Sequence, residues 1–205
     1  MPTGSWTYVE NPSRFDDYNW DSDDLPARKF YLFIVEIGRR LRHLMSDEGA
    51  ITMIDLCEQC AEGRITEDEL SDLALEHRTD YSGAADNLYW WVADRYKVSS
   101  RGVSVALNVF ADPGQTALEW GALVRDIYGP NPFLPVSFSP SWRTDTAVSL
   151  ARTMYESRDF SAMSILADAL QDAGCDSADI LDHCRNATQP HVRGCWVVDL
   201  LLGKS

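Results

Sequence analysis

The residues best suited to chemistry gather near the end of the chain: Cys175, His183, Cys184, His191 and Cys195. Thiolate and imidazole are zinc ligands, and four of them suffice for a closed structural site. Their spacing is not that of a zinc finger, whose paired ligands stand two to four residues apart. Here Cys175, Cys184 and Cys195 are separated by nine and eleven residues. His191 and Cys195 are four apart and would share a face on a continuous helix, with His183 approaching from the helix before. Extending that face by four adds Asp199, and His191, Cys195 and Asp199 then hold the types needed for a base, a nucleophile and an orienting carboxylate. The spacing favours buried thiols, with histidines bonded at helix ends, over either a metal centre or a thiol catalyst. Zinc bound by His183, Cys184, His191 and Cys195 is kept as the alternative, and no cofactor is otherwise expected.

A second group is Cys57 and Cys60, separated as in half a zinc site or a redox pair. They fall within a predicted helix, not at a strand-to-helix turn, and no second such pair exists. His43 and His77 would complete four ligands only if the fold brought them in. A core cysteine beside a surface one is the expected arrangement. Paired carboxylates such as Asp168/Asp172 and Asp176/Asp179 carry little information in so acidic a chain. No phosphate loop, dinucleotide fingerprint, His-Glu-x-x-His helix or Gly-x-Ser-x-Gly elbow occurs.

The elements that must position these groups read as helices. Pro26 opens the first, with Phe30, Phe33, Ile34, Ile37, Leu41, Leu44 and Met45 on a broad apolar face. A second covers 48–61, with Ile51, Ile54 and Cys57 inward, and Gly63 ends it. Thr66 and Glu69 form a capping-box pattern at the start of a third, whose stripe includes Leu70, Leu73, Ala74 and His77. Residues 83–111 combine helical spacing at Ala84 to Val92 with a short alternation at Val103 to Val109; helix is favoured, because a single strand would lack a partner. Pro113-Gly114 breaks the chain, and 115–128 is helical. Beyond the extended Pro-rich stretch 129–143, Thr144 caps a helix with Val148, Ala151, Met154 and Tyr155. Another lies near 161–173 with Met163, Ile165, Leu166, Ala169 and Leu170, and Asp176 caps the next. Pro190 opens a last helix running to about Leu202, apolar around most of its girth and so centrally buried.

The resulting expectation is a mostly all-α protein, either a compact helical bundle or a short irregular solenoid. Its parts are an acidic aromatic arm (1–24), an N-terminal helical lobe (25–128), a packed Pro-rich connection (129–143) and a C-terminal helical lobe of the same domain (144–205). The chain of 205 residues is 45% hydrophobic, with seven tryptophans, so it has apolar area enough to fold. Its net charge of -14 repels phosphate backbones, so direct nucleic-acid binding is not expected. No run of eighteen residues lacks charge, and no secretory signal opens the chain, which points to a cytoplasmic protein without a membrane span. Five cysteines, an odd number, fit reduced thiols in that setting.

The C-terminal third also carries recognisable strings: Asn131-Pro132-Phe133, Ile165 to Leu170, Asp179-Ile180-Leu181, His183-Cys184-Arg185, and Pro190-His191-Val192-Arg193-Gly194-Cys195-Trp196-Val197-Val198-Asp199-Leu200-Leu201-Leu202-Gly203-Lys204. Over 131–204 the chain resembles a set of uncharacterised proteins abundant in planctomycete-type bacteria. The resemblance implies a bacterial source and a recurring module, with no activity attached. Members often have a cysteine-rich run inside a stretch similar to Arg28–Met45; here that place reads Phe33-Ile34-Val35-Glu36-Ile37-Gly38. On these grounds the leading functional expectation is a helical protein-interaction or adaptor module for a partner with a basic surface, with Trp20 and Trp142 as anchors. The alternatives are an enzyme or small-molecule or metal-binding protein with a site between the lobes, and an acidic nucleic-acid mimic that occupies a basic protein.

Overall fold

In the computed structural model the described residues are 26–45, 47–76, 113–130 and 136–204. The arm at 1–24 with Trp20, the 83–111 segment and His77 lie outside them. Among the described residues there are eight α-helices and two short 3₁₀ turns, and no strand. The all-α expectation is met. In chain order the helices are α1 (Ala27–Leu41), α2 (Glu48–Ala61), α3 (Glu67–Glu76), α4 (Pro113–Tyr128), α5 (Asp145–Ser157), α6 (Met163–Asp172), α7 (Ala178–Arg185) and α8 (Trp196–Leu202). None is long and apolar enough to cross a membrane.

Contacts divide the described residues into two compact units that part at Gly121/Ala122, within α4. In the first, α1 packs against α2, and α2 against α3. Phe33, Ile34, Ile37 and Leu41 of α1 are buried as their spacing requires, and so are Tyr31, Leu32 and Val35. Burial around so much of the circumference marks α1 as the interior helix of this unit. Asp47 caps α2 by accepting from the Ala50 amide at 2.9 Å. The capping box on α3 forms as its sequence dictates: the Thr66 amide donates to Glu69 Oε2 (2.8 Å), and the Glu69 amide donates to Thr66 Oγ1 (3.2 Å).

In the second unit α5 packs on α6 and α8, and α6 on α7. Ala147, Ala151, Met154, Leu166, Leu170, Ile180, Val197, Val198 and Leu201 are at the centre of its core. Thr144 caps α5, accepting from the Ala147 amide at 3.2 Å. Val136 and Phe138 lie against this core, and Phe138 meets Trp142 edge to face with ring centroids 5.4 Å apart.

Four details depart from the sequence expectation. α4 begins at Pro113 itself, a position where the missing amide hydrogen costs nothing. The residue before α7 is Ser177, not Asp176, and its side chain makes no cap. Ile165 is 58% exposed, because the buried stripe of α6 runs through Met163, Leu166, Ala167 and Leu170. The last helix starts at Trp196, six residues after Pro190. Gly194, at φ +100°, turns the chain just before it, and the Val192 amide is held by a side chain of α4 instead of by a helical carbonyl.

Candidate metal centre

The shortened last helix changes how His191 and Cys195 meet. They do not share a helical face, since 190–195 is a turn, and the His191, Cys195, Asp199 register read from the sequence is not formed. His191 stands in that turn and Cys195 is the residue that precedes α8. The turn is secured from both sides. Arg193 donates from Nε and Nη2 to the Tyr155 carbonyl (3.0 and 2.8 Å), and its guanidinium lies over the Tyr155 ring at 4.8 Å. The Cys195 amide donates back to the Val192 carbonyl at 2.9 Å.

α7 delivers His183 to the same place, and α4 delivers Asp126. Asp126 lies on the buried face of α4, between Leu123 and Ile127, and is fully buried. The helix ends directly beyond it at Gly129, whose φ of +85° suits glycine. A Cβ there would lie 3.4 Å from Trp196 Cγ, so the end of α4 and the start of α8 are in close contact.

The four side chains converge. Asp126 Oδ1 is 2.8 Å from His191 Nδ1 and 3.2 Å from His183 Nε2. His183 Nε2 is also 3.3 Å from Cys195 Sγ. One atom from each of Asp126, His183, His191 and Cys195 can be chosen so that all lie within 4.8 Å of one another. The second carboxylate oxygen, Asp126 Oδ2, accepts from the Val192 amide at 2.9 Å, which fixes the plane of the carboxylate. The imidazoles meet edge to face at 4.8 Å, and the His183 ring leans on Trp196 at 5.2 Å. Cys195 is fully buried, and the side chains of His183 and His191 keep only 7% and 8% of their exposure.

Electrostatics follow from this enclosure. Burial alone would raise the Asp126 carboxyl, but hydrogen bonds from His183 and His191, together with their charge, overcome it and hold the group below the ordinary carboxylate value. The Cys195 thiol is pushed well above its usual value, first by burial and then by the Asp126 charge, against the lowering effect of the Val198 and Val197 amides. Without a cation nearby, Cys195 is therefore a thiol.

That geometry does not suit a nucleophile relay. A relay uses opposite nitrogens of one imidazole, one toward the nucleophile and one toward the carboxylate. Here His183 Nε2 faces both Cys195 and Asp126, and the His191 nitrogen that turns away from Asp126, Nε2, is buried with no protein partner. Convergence of four donors on one point is instead the arrangement of a metal site. Tetrahedral zinc with bonds of about 2.0–2.3 Å sets its ligand atoms about 3.3–3.6 Å apart. The 2.8, 3.2 and 3.3 Å edges are shorter than this, and all four atoms lie within 4.8 Å of one another.

Of the residues singled out by sequence, His183, His191 and Cys195 come together. Cys184 lies on α7 outside the cluster, its thiol pushed up to about 12 by burial, then by Asp126 and Cys175. Asp199 is buried within α8 and is not one of the four. Cys57 is buried in α2 and Cys60 half-buried beside it; neither belongs to a group of three or more potential ligands among the described residues, and His43 is exposed. None of the five cysteines is in a disulfide. Trp142 sits in the core of its unit, 9% exposed. Asp126 was not singled out by the sequence reading; a carboxylate at a core position of an otherwise apolar helix face, between Leu123 and Ile127, is the signal that marks it. No protein-family profile, curated protein or solved structure matches the chain.

Proposed function

We propose that this protein is a metal-binding protein whose C-terminal unit is closed around one zinc ion held by Asp126 Oδ1, His183 Nε2, His191 Nδ1 and Cys195 Sγ. The observation that carries this reading is the meeting of one oxygen, two nitrogens and one sulfur inside a 4.8 Å limit, with Asp126 and Cys195 buried and little of either imidazole exposed. Charge supports it. A carboxylate and a thiolate together cancel the dication, so a buried site need not hold net charge. The donor types also suit zinc better than calcium or magnesium, which take oxygen ligands.

Four protein ligands leave no open coordination position, the pattern of a structural zinc. The ion would tie together α4, α7 and the 190–195 turn, three segments from separate parts of the sequence. Val192 N–H would serve as the supporting contact that aims the carboxylate, the role outer hydrogen bonds play in metal sites. The adaptor reading has less support. Trp142 is committed to the core, and among the described residues the large exposed apolar side chains, Leu75 and Ile165, stand on different helices, as is ordinary for single surface residues.

The test is metal analysis of the purified chain after dialysis against a weak chelator, beside His183→Ala and His191→Ala. One equivalent of zinc in the parent chain and a large loss in both variants are expected. A parent chain that neither retains nor takes up zinc would leave the cluster as a hydrogen-bonded acid, imidazole and thiol network and overturn the proposal.

A further inference from the structure

Two of the four ligands, His191 and Cys195, belong to one irregular turn, so the metal centre depends on what holds that turn in place. Arg193 stands two residues from each of them and is half-buried. Its side chain runs to the C-terminal end of α5. The last four carbonyls of an α-helix have no amide of their own helix to accept from. In α5 the first of these, on Met154, accepts from the Arg158 amide that follows the helix. Arg193 serves the next two. Its Nε and Nη2 donate to the Tyr155 carbonyl at 3.0 and 2.8 Å, and Nη2 reaches the Glu156 carbonyl at 3.4 Å.

The contact is directional as well as favourable. A cation at this end of a helix meets the negative pole of its dipole. Two donors of a planar fork on one acceptor fix the orientation of the guanidinium, which a lysine ammonium would not do. The face of that fork lies over the buried Tyr155 ring at 4.8 Å. The neighbouring backbone extends the hold: the Val192 amide donates to Asp126 Oδ2, and the Cys195 amide donates to the Val192 carbonyl. A ligand already in place when an ion arrives adds its bond at no further ordering cost. One that must be fixed on binding loses that entropy from its affinity.

The same unit contains a counterpart that holds no ligand. Arg143 donates from Nη2 to the Leu200 carbonyl in the last turn of α8 and lies over the Phe138 ring at 5.7 Å. The chemistry matches that of Arg193. The end of α8 that Arg143 holds is the far one, however, while Cys195 precedes the near one.

We infer that Arg193 is a positioning residue of the metal centre: by joining the ligand turn to the end of α5 it presets His191 and Cys195, and so raises zinc affinity without touching the ion. The inference rests on the metal reading.

Zinc affinity is measured by chelator competition on the full chain under folding conditions, in the parent, Arg193→Met, Arg193→Lys and Arg143→Met. Melting of each metal-free chain is followed by circular dichroism. An arginine that only stabilises the fold would lower the melting temperature and leave the affinity of the folded chain unchanged, so affinity separates the two roles. Arg193→Met is expected to bind zinc about tenfold or more weakly, the scale of losing a supporting contact around a metal ligand. Arg193→Lys should fall between it and the parent. Arg143→Met should melt lower yet bind zinc as the parent does. Should Arg193→Met not fold, Arg193→Lys against Arg143→Met decides the matter. Parent affinity in every Arg193 variant that folds, or an equal loss in Arg143→Met, would overturn the inference while leaving the zinc site standing. A parent chain that takes no zinc would overturn both.

Discussion

Cys57 and Cys60 have the closer sequence spacing for a metal site, yet it is Asp126, His183, His191 and Cys195, scattered over seventy positions, that converge. In α2 the two thiols stand on a helix whose caps and apolar face account for it fully, and burial pushes the Cys57 thiol up, with Cys60 adding to the effect. A thiol so placed behaves as a small apolar side chain. In the C-terminal unit a carboxylate, two imidazoles and a thiol are buried together, where each would be costly alone. Short sequence spacing thus says less about ligation than the sharing of one buried point by polar groups from different elements.

Removing Asp126 breaks that contrast most severely. Asp126→Ala strands the Val192 amide and both imidazoles in the interior. It should lower the stability of the metal-free chain by about 3–5 kcal/mol, as for the loss of one partner of a buried pair. Zinc retention should disappear with it. Denaturant unfolding followed by circular dichroism gives the first quantity and metal analysis the second.

A smaller and more specific effect concerns protons. The Asp126 carboxyl is held below its ordinary value and is already ionised near neutral pH, so it has no proton to lose. The Cys195 thiol, raised by burial, must give one up to become a ligand. Zinc binding at pH 7.5 should therefore release about one proton more in the parent chain than in Cys195→Ser. Calorimetry in buffers of different ionisation enthalpy measures the difference. The same linkage makes the site acid-labile: stability drawn from the depressed Asp126 carboxyl is present above the ordinary carboxylate range and is lost as pH falls through its lower folded value.

The least effect is expected on the other side of the comparison. Cys57→Ala should cost about 1 kcal/mol, as for a typical core truncation, and Cys60→Ala less, with zinc content unchanged in both. Loss of zinc from either would move the metal centre to α2.

The fold was legible wherever its causes are local. The caps at Thr66 and Thr144 and the bounds of α2 follow from neighbours in sequence, because an amide donor is satisfied within three residues. The beginning of α8 was not, because it depends on Asp126 capturing the Val192 amide across 66 positions, with Gly194 turning the chain. The site divides the same way. His183, His191 and Cys195 are visible by chemical type, but their meeting needed a turn instead of the continuous helix their spacing suggests. Asp126, one carboxylate among 32 acidic residues, stands out only through its apolar neighbours on α4.

X-ray absorption at the zinc edge tests the central claim most directly. The account predicts four-coordinate zinc with one sulfur at about 2.3 Å and three nitrogen or oxygen neighbours at about 2.0–2.2 Å, the sulfur vanishing in Cys195→Ser. Two or more sulfurs, or a six-coordinate shell of oxygen and nitrogen alone, would contradict it.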